Sequence, residues 1–150
     1  MINHHFSLIC KHAVIDEFSK SISIFDVIEQ INVFAEPDQT VNIPMHIDVF
    51  SLWMRSDLDT PAKGVSRVFL RDPNGISKKH IEVDIELSES TFFRSIIKVS
   101  AIELRGPGKY NFIIELKQKD ENWKEMASIP FMVTYKPPKE DEKVLETKNE

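Results

Sequence analysis

The chain has 150 residues, 41% of them hydrophobic and 29% charged, with a formal net charge of −5. That is enough apolar material for one packed domain and too much for a disordered chain. The acidic balance, with no dense Lys/Arg run, argues against a nucleic-acid binder, and no apolar stretch approaches membrane-spanning length.

Phe6 to Val14 reads as a first strand, closed by Asp16-Glu17. It carries Cys10, the one cysteine, so an intrachain disulfide is excluded and a reducing compartment is favoured. Cys10 sits in an apolar run and reads as a small buried hydrophobe rather than a nucleophile. The start lacks the basic n-region of a signal peptide, so a cytoplasmic protein is expected.

Ser21 to Phe34 is a long β-rich run whose phase changes partway. Ile22 and Ile24 share one face, whereas Phe25, Val27, Ile31 and Val33 fall on the other. A period-two strand cannot do this and keep one core face, so a bulge or bend is expected near Phe25-Asp26. A short helix from Ile24 to Ile31 is the rival, opposed by its β-branched crowding.

After a turn at Pro37-Asp38-Gln39, Val41 to Arg55 reads as one strand, with Pro44 near its start suiting an edge position. Beyond Val49 both faces become apolar, through Phe50, Leu52, Trp53 and Met54. A polar loop from Ser56 to Gly64 carries Asp57 and Asp59. Val65 to Arg71 is a short strand, followed by the turn Asp72-Pro73-Asn74-Gly75, in which proline presets φ and Asn-Gly tolerates positive φ.

In the next strand Ile81, Val83, Ile85 and Leu87 alternate with His80, Glu82, Asp84 and Glu86, one face in oil and one in water. Phe92 to Leu104 follows. The chain then turns at Gly106-Pro107-Gly108 into a hairpin: Tyr110, Phe112, Ile114 and Leu116 alternate with polar residues, and a second strand ends in Phe131 to Val133.

About eight strands at regular spacing, without a 3.6-residue stripe, predict an all-β, immunoglobulin-like antiparallel β-sandwich over residues 1–135. The approach Leu104 to Tyr110 matches the tyrosine corner of such domains. Residues 136–150 are nearly all charge after Pro137-Pro138 and read as a flexible tail or a solvated helix.

Leu8-Ile9-Cys10, Ser21 to Ile28, Asp72 to Gly75, Gly108-Lys109-Tyr110 and Pro130 to Val133 resemble the corresponding segments of a family of short, uncharacterised, mostly bacterial proteins classed as a domain of unknown function. Members often carry glycine where this chain has Ser23. The resemblance implies a β-sandwich and brings no activity with it.

No catalytic, cofactor or metal residues are assigned. His4, His5, His12, His46 and His80 lack metal-ligand spacing. No nucleophile elbow or phosphate-cradling loop occurs, although Cys10 or a serine with His46 or His80 is a formal possibility for a hydrolase. Asp57, Asp59, Asp72 and Asn74 are the candidates for a calcium or carbohydrate site, if their loops meet at one end of the sandwich. Their other role is turn formation. The informative residues are apolar ones out of phase with their strands: Ile113, the set Phe50, Leu52 and Met54, and one of Phe92 and Phe93. Gathered on one sheet they would form an interface. The expected function is therefore non-enzymatic binding of a protein partner, a homodimer included.

Overall fold

The computed structural model describes residues 1–78 and 81–138, and these contain eleven strands and no helix. The strands are β1 (Ile2–Ile15), β2 (Ile22–Val27), β3 (Gln30–Phe34), β4 (Thr40–Ile43), β5 (Ile47–Arg55), β6 (Ala62–Arg71), β7 (Ile81–Leu87), β8 (Phe92–Val99), β9 (Ile102–Arg105), β10 (Gly108–Gln118) and β11 (Lys124–Lys136). One sheet has the order β2-β1-β5-β8, a second β3-β11-β10-β6-β7, and β4 pairs with β9. All pairings are antiparallel except β3 with β11.

Eleven strands replace the expected eight because three runs read as single strands are each divided. The run from Ser21 to Phe34 bends where expected, with Asp26 at a φ of 55°. It then breaks at Ile28-Glu29 and changes sheets. Ile28 N–H still donates to Ile9 of β1 (3.0 Å), whereas Glu29 already accepts from Met132 N–H of β11 (2.9 Å). The phase change thus marks a handover between sheets, and the helix alternative does not form. The run from Val41 to Arg55 is split at Pro44, which has no N–H for a ladder; β4 leaves to pair with β9 while β5 runs through the centre of its sheet. The run from Phe92 to Leu104 divides at Ser100-Ala101 between the same two sheets.

The first two sheets share one hydrophobic cluster. Ile9, Val49, Trp53 and Ile97 come from the first, and Leu70, Ile85, Leu87, Tyr110, Phe112 and Phe131 from the second. The oil-and-water alternation of β7 is graded: Ile85 and Leu87 are buried, but Ile81 is exposed. His80 and the tail from residue 139 lie outside the described residues, while β11 extends one residue past the expected boundary, to Lys136.

The turn after β6 forms as its residues require. Asp72 Oδ1 accepts from the N–H groups of Asn74 and Ile76 (both 2.9 Å), and Gly75 takes a φ of 81°. The corner before β10 also forms, with Gly106 and Gly108 at φ 104° and 137°. A Cβ on Gly108 would stand 2.8 Å from Pro73 Cγ, so this corner is packed on the preceding turn.

Tyr110 closes the corner. Its hydroxyl accepts from Arg105 N–H (2.8 Å) and donates to the Gly106 carbonyl (2.9 Å). A second ring, Tyr135, accepts from Gly106 N–H (3.0 Å) and fixes the same loop to β11. Tyr110→Phe keeps the packing and leaves two backbone groups short of a partner, so it should cost about 1–3 kcal/mol, read as a lower urea midpoint at unchanged slope.

Candidate functional site

The N-terminal hairpin defines the most unusual surface. On the side of the four-stranded sheet away from the main core, Cys10, Ala13 and Phe50 form a second buried cluster, with Leu8, Ile22, Ile24, Leu52 and Ile96 packed against it. Cys10 and Ala13 belong to one strand but differ in parity, so β1 changes face between them. Its far end and β2 thereby cover Phe50, which is fully buried.

Asp48 holds this arrangement. It is 3% exposed, and its Oδ2 accepts from Ala13 N–H (2.9 Å). Lys98 Nζ lies 3.3 Å from its other oxygen. The hairpin encloses it.

The hairpin covers only one end of the face. Beyond it the register sets Phe6 beside Leu52 and Leu52 beside Arg94, with Met54 beside Phe92 and Leu8 in the row of Phe50 and Ile96. Phe6 and Phe92 are 42% and 47% exposed; Leu8, Leu52, Met54 and Ile96 are half-buried. Arg94 stands within this apolar field, and its Nε is buried without a hydrogen-bond partner. A buried N–H left unpaired is costly to the fold.

The out-of-phase residues therefore divide. Leu52, Met54 and Phe92 lie on this face, while Phe93 packs against the main core. Phe50 is enclosed by the hairpin. Ile113 is 1% exposed, beside Phe69 in the second sheet, where the Arg67 and Arg71 guanidinium groups lie 5.9 and 5.7 Å from the Phe69 ring. Arg67 also stacks on Trp123 at 4.1 Å and pairs with Glu115. That second outer face is a packed layer of long side chains and not an open apolar surface. Phe6, Leu8 and Ile96 were missed as members of the open face, because their place depends on register.

The inner face of the four-stranded sheet carries a polar row. Ser7, Ser51 and Ser95 are adjacent in register across β1, β5 and β8. Ser7 Oγ donates to Ser51 Oγ (2.7 Å), and Trp53 Nε1–H donates to Ser95 Oγ (3.2 Å). His4 Nε2 stands 2.6 Å from Ser7 Oγ. Burial, with His5 beside it, lowers the His4 pKa. His4 lies within β1, with its ring edge-on to Trp53 at 5.0 Å. The row satisfies hydroxyls inside the fold. His5, His12 and His46 are exposed.

The acidic loops do not meet. Asp57 and Asp59 precede β6 and Asp72 follows it, and a ten-residue strand separates them by roughly 30 Å. Asp57 accepts from Asp59 N–H (2.9 Å) and Thr60 Oγ1 (2.6 Å), which is turn chemistry. Among the described residues no three His, Cys, Asp or Glu side chains form a metal-binding group.

Cys10 is buried as a free thiol, 3.8 Å from the Asp48 carbonyl. Burial raises its pKa, with the Asp48 charge adding to the effect. It should resist a water-soluble disulfide reagent in the native protein and react stoichiometrically in denaturant; rapid native labelling would show that the hairpin opens.

Among the described residues no helix is long and apolar enough to cross a membrane. No protein-family model matches the chain, and no curated protein is significantly similar to it.

Proposed function

We propose that this chain is an immunoglobulin-like β-sandwich that acts by binding, docking a protein on the open outer face of its four-stranded sheet. The observation that carries this is the apolar row beside the hairpin, in which Phe6 and Phe92 are exposed and Leu8, Leu52, Met54 and Ile96 are half-buried. A face of this kind in one domain is the signature of an interface. The hydrogen bonds of Tyr110 across the corner support the immunoglobulin-like comparison. The resemblance of Leu8 to Cys10, Asp72 to Gly75 and Gly108 to Tyr110 to segments of a family of short, uncharacterised proteins is part of the same proposal. A reduced, cytoplasmic setting agrees with the single buried thiol.

The simplest partner is a second copy, because an apolar face is complementary to itself. Sedimentation equilibrium at micromolar protein tests this. The wild type should be dimeric, and the double variant Phe6→Ser, Phe92→Ser monomeric while still folded by circular dichroism. Both residues are about half exposed in the single chain, so their loss acts on the interface more than on the fold. A wild type that stays monomeric overturns self-docking.

A further inference from the structure

The four-stranded sheet ends in β2 on one side and β8 on the other. Charge on an edge strand discourages pairing with another chain. β8 carries Arg94 and Lys98, and β7, at an edge of the second sheet, carries Glu82, Asp84 and Glu86. β2 has no such guard. From Ser21 to Phe25 there is neither charge nor proline, and among the described residues its one strand neighbour is β1. Lys20 and Asp26, at φ 58° and 55°, bound this regular stretch.

The free backbone groups of β2 follow from its ladder. Asp16 N–H donates to the Ser21 carbonyl (2.9 Å), and the register continues through Val14 with Ser23 and His12 with Phe25. Bonded pairs recur at every second residue of an antiparallel ladder, so Ser23 and Phe25 turn their N–H and C=O groups toward β1. Those of Ile22 and Ile24 point away from it. The side chains alternate in the same way. Ile22 and Ile24 pack half-buried against the Phe50 cluster, while Ser23 and Phe25 lie exposed on the other face.

We infer that β2 pairs antiparallel with β2 of a second copy, about a two-fold axis through Ser23. Ile22 then faces Ile24 of the other copy, Ser21 faces Phe25, and Lys20 faces Asp26. Ile22 and Ile24 exchange four backbone hydrogen bonds across the axis, and their side chains join the two Phe50 clusters. Each Phe25 ring, 55% exposed in the single chain, lies beside Ser21 of the other. The charges are self-complementary, with Lys20 meeting Asp26 twice; in the single chain Asp26 stands 3.9 Å from the exposed Lys11. A shift of two residues either way keeps the backbone bonds but sets Lys20 against Ile24 or Asp26 against Ile22, so charge selects this register. One strand pair is smaller than a standard interface of about 1,200–2,000 Å², and half-association is expected at roughly 0.1–1 mM. This edge is separate from the outer face, and at micromolar protein it stays unpaired.

The test uses the Phe6→Ser, Phe92→Ser protein, so its result does not depend on docking at the outer face. At about 1 mM this protein should sediment as a dimer, and with Ser23→Lys added it should be monomeric yet folded by circular dichroism, because two ammonium groups then meet on the axis. Disulfide capture reads the register. Residues facing each other on the axis have Cα atoms about 4.5 Å apart, within reach of a disulfide, whereas two Ser21 positions are about 13 Å apart. With oxidised glutathione, Ser23→Cys should form a covalent dimer at least tenfold faster than Ser21→Cys, and the parent with Cys10 alone should form none. A strict monomer at this concentration overturns the inference. So does a dimer that survives Ser23→Lys, or capture at Ser23→Cys no faster than at Ser21→Cys.

Discussion

Trp53→Ala is expected to destabilise the protein by about 3–5 kcal/mol, the largest effect of any single truncation considered. Trp53 is fully buried at the centre of the four-stranded sheet, between His4 of β1 and Phe93 of β8 in register. Its removal empties the largest fully buried side-chain volume in the described chain. The surrounding strands are held by ladders on both sides and cannot collapse into the space. The loss also leaves Ser95 Oγ without its indole donor. In a domain of this length such a change should lower the melting temperature by roughly 6–20 °C. Trp53→Phe restores most of the volume and should recover more than half of the loss. A loss below about 1 kcal/mol for Trp53→Ala would mean that the two sheets do not close over this ring.

Asp48→Ala should cost about 2–4 kcal/mol and do so locally. The carboxylate is the acceptor for Ala13 N–H and the counter-charge for Lys98. Deleting it leaves a buried amide unpaired and frees the far end of the β1–β2 hairpin from the sheet. Phe50 and Cys10 then lose their cover. The consequence separates this variant from Trp53→Ala: the Cys10 thiol should become reactive under native conditions, with hydrogen exchange accelerated in residues 11–26 and little changed in β10 and β11. Asp48→Asn retains an acceptor for Ala13 and should show a smaller version of both effects. A uniform loss of protection across the chain would instead make Asp48 part of the global core. The freed hairpin also enlarges the apolar face, so on the docking proposal the Asp48→Ala protein should associate more readily than the wild type.

Much of the architecture was legible before any coordinate. The alternation of Tyr110, Phe112, Ile114 and Leu116 and the turn Asp72 to Gly75 are local signals, and both form as read. The phase change after Ile24 also pointed to a real break. Its meaning was not available, because a strand that changes sheets and one that bulges within a sheet have the same local pattern. Pro44 announced a missing donor, but an edge position and a strand end both satisfy it.

The candidate surface was legible only in part. Parity assigns Leu52 and Met54 to one face of β5 and Trp53 to the other, and the structure agrees. Parity gave Phe50 the same exposure as Leu52, and there it failed, because the hairpin folds back over one end of the sheet. The serine row failed for a related reason. Ser7, Ser51 and Ser95 are 44 residues apart at each step and become neighbours through register alone.

The amino-acid order by itself determined that the chain forms strands, where most of them turn, and which side of each is apolar, since backbone sterics and side-chain alternation act over a few residues. Only the tertiary structure decided what covers those sides. Phe50 is sealed and Phe6 is open because cover comes from distant segments, whose positions follow from the pairing of whole strands rather than from the preference of any one of them.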